Sequence, residues 1–281
     1  MLKQRIITAL VLLLILLPAL FYRTAAPFCA LAMLLISAAA WEWGRLNAYS
    51  QSSSLLAAGV CVTACGVTWW LGLLEQTLPW LWSLAGAAWV LGGAWLLRAG
   101  VPVWSTYPRG LRLLAGLFAL WLTWLAVAQA RFIGINFLLS ILTLVWAADI
   151  FAYFAGRAFG GRFSPGKLAP SISPGKSWEG VWGGMMGVLV LALAWRWLDS
   201  AWAASVPSLY THLGRKGWFL FLISLVFMAA MSVVGDLLES LVKRSAGVKD
   251  SSGLLPGHGG VLDRVDALLP ALPLAMMLYS A

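Results

Sequence analysis

Asp149, Asp236 and Glu239 interrupt stretches of this chain that are otherwise apolar, and Asp263 and Asp266 stand at the start of another. An acid at membrane depth costs about 2.5 kcal/mol or more unless it faces protein, water or a cation. Their spacing suggests company. Asp236, Ser240 and Lys243 are four and seven residues apart and share one helical stripe. Asp263 and Asp266 share a face, as do Asp149, Tyr153 and Gly156. Three helix ends are therefore expected to converge on one acidic cleft facing the cytoplasm. The acids could be structural, pairing with Lys243, Arg244 or Arg264. They could instead hold a hard divalent cation such as Mg2+, which takes oxygen ligands from one or two carboxylates and from substrate phosphates. Lys243, Arg244, Lys249 and Arg264 would sit poorly around bare metal but suit several phosphates. Acids for a metal beside cations for phosphate are the parts of a phosphoryl- or nucleotidyl-transfer site.

Two polar segments carry most of the remaining chemistry, RAFGGRFSPGKLAPSISPGKSWE over 157–179 and KRSAGVKDSSGLLPGHGGVLDRVD over 243–266. In the second, Pro256, Gly257, His258, Gly259 and Gly260 read as a tight turn leading into a helix. Glycine allows close backbone approach to a ligand, and helix-start N–H groups favour anions. His258 is assigned a phosphate contact because of its company. His212 lies far from such residues and is assigned none.

The elements that must position these groups are membrane helices. Of 281 residues, 62% are hydrophobic and 10% charged, where a soluble chain is nearer half and a quarter. This excludes a soluble globular enzyme, a disordered protein and a disulfide-stapled secreted domain. Runs long enough to span a bilayer fall at 6–22, 25–43, 54–74, 80–97, 111–130, 135–156, 180–198, 217–240 and 261–280. The expected fold is all-α, a polytopic integral membrane protein of about nine transmembrane helices. The first run, although it resembles a signal peptide, reads as a retained helix because a second apolar run follows almost at once. Residues 1–134 read as scaffold helices, and 135–281 as the catalytic region with its motif loops.

Charge gives orientation. With a cytoplasmic N-terminus, one set of loops collects Lys3, Arg5, Arg45, Arg98, Arg109, Arg112, Arg157, Arg162, Lys167, Lys176, Lys243, Arg244, Lys249 and Arg264. The other holds only Arg23, Arg131, Arg196, Arg215 and Lys216. That asymmetry fits the positive-inside rule. It also gives the net charge of +9 a membrane rather than a nucleic-acid meaning. Trp41, Trp43, Trp69, Trp70, Trp80, Trp82, Trp195, Trp197 and Trp218 fall near predicted span ends, as an interfacial belt would. Cys29, Cys61 and Cys65 lack metal-ligand spacing and read as small buried hydrophobes. Asp199 falls in the outer loop, where substitution by Asn is expected to be near neutral.

The stretch Ser240 to Asp266 resembles the signature of the phosphatidate cytidylyltransferase (CDP-diacylglycerol synthase) family: S-x-x-K-R, four residues, K-D, then P-x-H-G-G-x-x-D-R-x-D. Every fixed position is present. Gly235-Asp236-Leu237-Leu238-Glu239-Ser240 is similar to the family's G-D-L-x-E-S lead-in. Ser173-Pro174-Gly175-Lys176-Ser177-Trp178-Glu179-Gly180 resembles its S-P-K-K-T-W-E-G segment, with Gly175 and Ser177 replacing Lys and Thr. Trp146 to Gly156, with Asp149 and Tyr153, looks like the family's acidic sixth helix. The first 140 residues add only general hydrophobicity.

The resemblance implies an enzyme that joins CTP to phosphatidic acid, giving CDP-diacylglycerol and pyrophosphate. It implies Mg2+, with a second cation left open, and a homodimer in a bacterial inner membrane. Asp236 and Asp263 match the family's metal-coordinating aspartates. Lys243, Arg244, Lys249, His258 and Arg264 would bind the triphosphate and the lipid phosphate, with Asp250 and Asp266 in the same catalytic signature. Ser173, Lys176, Ser177, Trp178, Glu179, Asp149, Gly259 and Gly260 would form the substrate-binding surround. Two rivals stand beside this reading: a CTP-dependent lipid kinase of the dolichol kinase type, and a cation-coupled transporter. The crowding of acids toward one membrane face, beside phosphate-type cations, argues against the transporter.

Overall fold

The computed structural model describes residues 2–164 and 166–281, with side chains from residue 4 onward. Lys3, counted above in the charge asymmetry, and Pro165 of the first polar segment lie outside the described side chains. Among the described residues, eight helices are long and apolar enough to cross a membrane. They are α1 (Leu2–Phe21), α2 (Ala26–Leu46), α3 (Gln51–Trp70), α4 (Pro79–Ala99), α6 (Arg109–Ile133), α7 (Ile135–Phe159), α8 (Trp178–Ala201) and α10 (Trp218–Ser245). Short helices α5 (Val101–Trp104) and α9 (Leu209–Arg215) lie in connections. The outer faces carry large apolar side chains with no protein cover, such as Leu14, Leu56, Leu91 and Phe219, as expected where lipid is the solvent.

The ninth predicted run, 261–280, is divided into α11 (Leu262–Val265) and the 13-residue α12 (Leu268–Ser280). Pro270 has no N–H to give the Asp266 carbonyl, so regular helix hydrogen bonding cannot pass through that point. The bend abuts α10 at Gly235, where a Cβ would come within 2.5 Å of the Asp266 carbonyl and 2.8 Å of the Pro270 ring.

Ties made by side chains define two ends of the bundle. At one end Trp43 donates to the Arg112 carbonyl (2.9 Å), Trp104 to Asn47 (3.2 Å) and Thr8 to the Pro256 carbonyl (2.9 Å). At the other, Arg131 donates to the Leu20 and Tyr22 carbonyls, and Gln129 to those of Leu73 and Gln76. The segments 47–50, 100–108, 160–177 and 246–261 thus share one end, and 22–25, 71–78 and 202–217 the other. Both polar motif segments are at the same end.

Several expectations change here. Trp82 is 1% exposed, and Trp43 is also buried; both spend their indole N–H on internal partners. Trp195 likewise donates to Asn136. Trp70, Trp80, Trp197 and Trp218 remain outward-facing. Asp199 is no loop residue. It lies in the last turn of α8, is buried, and accepts from Asn136, Ser208 and Thr211. The three cysteines are buried thiols, as expected.

Candidate active site

The site begins with how closely α7 and α8 approach. Gly183 and Gly184 on α8 face Ala155 and the Ala148 carbonyl of α7, and a side chain at either position would overlap them. Small residues let membrane helices touch along their backbones. Above this contact, Ser177 caps α8 by accepting from the Gly180 N–H (3.2 Å), which fixes where Lys176 leaves the loop. A cavity of about 600 Å3 opens there, lined by Asp149, Tyr153, Arg157, Lys176, Ser177 and Asp236. Lys176 reaches across it to Asp236 at 2.5 Å, and Ser240 donates to the other Asp236 oxygen.

One and two turns further along α10 from Asp236, Glu239 and Lys243 form a second charged group with Asp263. Lys243 Nζ pairs with Glu239, and at 2.5 Å with Asp263 Oδ1. Asp263 Oδ2 accepts from the Ser251 N–H (2.9 Å), the Ser251 hydroxyl (2.7 Å) and the Gly260 N–H (2.8 Å). Burial opposes ionisation of Asp263. Lys243 and the donors from Gly260 and Ser251 outweigh it and hold the carboxyl well below the usual range. Gly259 has φ +83°, and a Cβ there would sit 2.8 Å from Asp263 Oδ2. Glycine is required both for that backbone region and for that approach.

Asp266 links the two groups. Burial first, and then the charge of Asp236, push its carboxyl up to about 7. Lys243 and Asp149 also lie within its electrostatic reach, and Asp266 in turn acts on Glu239. Asp149 and Asp236 thus act on Asp266, and Asp266 and Asp263 on Glu239, so the five acids form a linked series at one end of the bundle. Lys176 and Lys243 are the cations resting on them.

Other predicted residues are placed differently. Glu179 accepts from the Phe163 and Ser164 N–H groups and is buried. It braces the 160–164 turn instead of facing the cavity. Arg244 donates to the Ile172 and Val248 carbonyls (3.4 and 3.3 Å), tying the two motif segments together. Ser173 sits in a turn bridged to Ala169, beside Arg244's Ile172 contact. Trp178, Lys249, Asp250 and Arg264 are exposed at the same end. His258 closes a turn by donating its N–H to the Leu255 carbonyl, and its buried Nδ1 meets no partner.

Sequence reasoning missed Glu42. It lies near the C-terminal end of α2, is fully buried, and accepts four hydrogen bonds from residues 251–262. The available signal was the one applied later in the chain: an acid inside an otherwise apolar run.

Among the described residues, eight long apolar helices, with carboxylates and ammonium groups gathered at one end, define an integral membrane protein with a polar, charged cleft. A family model described as the cytidylyltransferase family matches residues 3–281, and the chain belongs to that family. A phosphatidate cytidylyltransferase of Pseudomonas aeruginosa is 41% identical over 292 residues, covering 100% of this chain and 98% of the relative. One from Haemophilus influenzae is 39% identical, covering 99% of each. One from Bacillus subtilis is 37% identical over 147 residues, about half of either chain. The resemblance read from Ser240–Asp266 thus extends along the full chain.

Proposed function

We propose that the chain transfers the cytidylyl group of CTP to phosphatidic acid, forming CDP-diacylglycerol and pyrophosphate, at the cleft between α7, α8, α10 and α11. The observation that carries the location is the pairing of each candidate metal-binding aspartate with a lysine: Asp236 with Lys176, and Asp263 with Lys243. Full-length identity to relatives of that name supports the reaction.

Mg2+ fits the donors. Among the described residues no three His, Cys, Asp or Glu side chains gather around one point to hold an ion. A nucleotide-bound Mg2+ needs only one or two carboxylates, the rest being water and phosphate oxygens. Asp236 and Asp263 would hold it, each already bearing a positive group on one oxygen. When bound, the ion would neutralise charge on the triphosphate and leaving group. Lys176 and Lys243 would turn from carboxylate to phosphate as the nucleotide enters.

The reaction needs no protein nucleophile. A phosphate monoester has a second pKa of about 6, so phosphatidate is largely a dianion at neutral pH. One of its phosphate oxygens forms a bond to the α-phosphorus of CTP. The α–β bridging P–O bond breaks, and its electron pair leaves with pyrophosphate. The chain's work is to suppress repulsion between two polyanions and to keep them in line. Lys176, Lys243, Arg244, Lys249 and Arg264 supply the positive charge. Tyr153 and Ser177 line the cavity wall. The proposed orientation puts the 160–177 and 246–261 segments in the cytoplasm of a bacterial inner membrane, where CTP arrives. The charge asymmetry supports this, and the family resemblance supports a homodimer.

Purified protein given phosphatidate and CTP labelled at either the α- or the γ-phosphate tests the proposal. Label from the α-position should enter the lipid and label from the γ-position should leave as pyrophosphate. Transfer of the γ-label to lipid would instead identify a CTP-dependent kinase.

A further inference from the structure

Glu42 belongs to the half of the chain read as scaffold, yet its carboxylate is the hub of the 251–262 loop. Its Oε1 accepts from the Ser252 hydroxyl (2.5 Å) and the Val261 N–H (3.0 Å), and its Oε2 from the Ser251 hydroxyl (3.2 Å) and the Leu262 N–H (2.7 Å). These donors come from both ends of the turn holding His258, Gly259 and Gly260. A Cβ on Gly260 would overlap both Glu42 Oε1 and the Ser251 hydroxyl, so the loop backbone is shaped to the carboxylate. The single Ser251 O–H proton is shared between Glu42 and Asp263, the shorter contact being to Asp263, and Gly260 gives its N–H to the same Asp263 oxygen. Glu42 and Asp263 therefore hold one loop from opposite sides.

A buried carboxylate is an expensive way to fix a loop unless its position matters. This one lies in a bilayer-length helix, 209 residues from Ser251 in sequence. Its neighbour Trp43 anchors the same turn of α2 by donating to the Arg112 carbonyl (2.9 Å), so the carboxylate rests on a rigid support.

We infer that Glu42 is a positioning residue for cytidylyl transfer: it sets the 251–262 loop so that Asp263 and the glycine turn meet metal and phosphate in register. The inference rests on the active-site location proposed above. It differs from a role in folding alone. If the carboxylate aligns Asp263, its loss changes how tightly the enzyme engages Mg2+ and CTP. If it only stabilises the fold, its loss lowers the amount of active protein and leaves both affinities unchanged.

The test compares Glu42→Gln, Glu42→Asp, Ser252→Ala and Asp263→Asn, with folded fraction measured by size exclusion in detergent. For Glu42→Gln, the KM for CTP and the Mg2+ concentration for half-maximal activity should each rise at least tenfold. For Ser252→Ala, which removes one of four donors, both should rise two- to threefold. Combining the two should be no worse than Glu42→Gln alone, because they act on one contact. If Glu42→Gln does not fold, Ser252→Ala and Glu42→Asp decide the matter. Wild-type KM and Mg2+ dependence in the folded variants overturns the inference. Asp263→Asn separates the two levels. If it shifts the Mg2+ requirement and the Glu42 variants do not, the positioning role alone is wrong. If Asp263→Asn also keeps wild-type Mg2+ dependence, the site itself is misplaced.

Discussion

Lys176, from the loop before α8, closes a 2.5 Å ion pair on Asp236 in α10, joining two motifs 60 residues apart in sequence. Each half is partly exposed, with 25% of the lysine side chain and 31% of the aspartate reachable by solvent. The pair therefore faces an open cavity and can exchange partners. A surface-exposed pair contributes about 0–1 kcal/mol to stability. Lys176→Ala should accordingly leave thermal stability within about 1 kcal/mol of wild type while raising the KM for CTP at least tenfold. An unchanged KM would make Lys176 a loop-anchoring charge only.

Arg244 draws the 246–261 segment and residue 172 together through two backbone carbonyls and carries one of the signature's positive charges. Arg244→Ala should raise the apparent KM for CTP or phosphatidate and lower turnover. Arg244→Lys should recover only part, because a single ammonium cannot reproduce a planar fork of donors. Steady-state kinetics in mixed micelles reads both, and an unchanged kcat/KM for both substrates would reduce Arg244 to an orientation charge.

Asp199 organises the opposite end, accepting from the side chains of Asn136, Ser208 and Thr211 and from the Ser208 backbone. Buried hydrogen bonds to a charged group contribute about 1.5–3 kcal/mol each. Asp199→Asn should therefore lower the melting temperature in detergent, while kcat per folded enzyme stays near wild type. A stable variant with lost activity would contradict the division of the bundle into a chemical end and a structural end.

Sidedness can be read by cysteine labelling in intact cells. Gly253, exposed and with open space where a side chain would be added, is a suitable reporter. Gly253→Cys should be protected from a membrane-impermeant maleimide, and Ser205→Cys should react. The reverse pattern would invert the proposed orientation.

Much of the cleft was legible in the sequence because its residues come from three short segments with helical or turn spacing. Asp236 and Lys243 share a stripe of α10 by simple periodicity. Asp263 and the glycine turn are adjacent in sequence. What sequence could not place were single polar residues satisfied by distant partners. Glu42 looks like an isolated acid between two tryptophans, and its donors lie more than 200 residues away. Asp199 looks like a loop acid because its partners, Asn136 and Ser208, come from a helix start and a connection. Trp43 and Trp82 sit at span ends, as interfacial tryptophans do, but internal acceptors at those depths draw them inward. The last span was overextended because an apolar run shows hydropathy and hides the helix break at Asp266–Pro270.

The central claim is that Asp236 and Asp263 act as the metal-bearing carboxylates of a cytidylyltransferase. Asn at either position keeps the shape and removes one charge and one strong oxygen ligand. Initial rates of CDP-diacylglycerol formation across a Mg2+ titration, with thermal stability measured on the same samples, test this directly. Folded Asp236→Asn and Asp263→Asn should lose at least a hundredfold in rate at low Mg2+ and regain part of it at high Mg2+. Folded variants with wild-type rate and wild-type Mg2+ dependence would contradict the account.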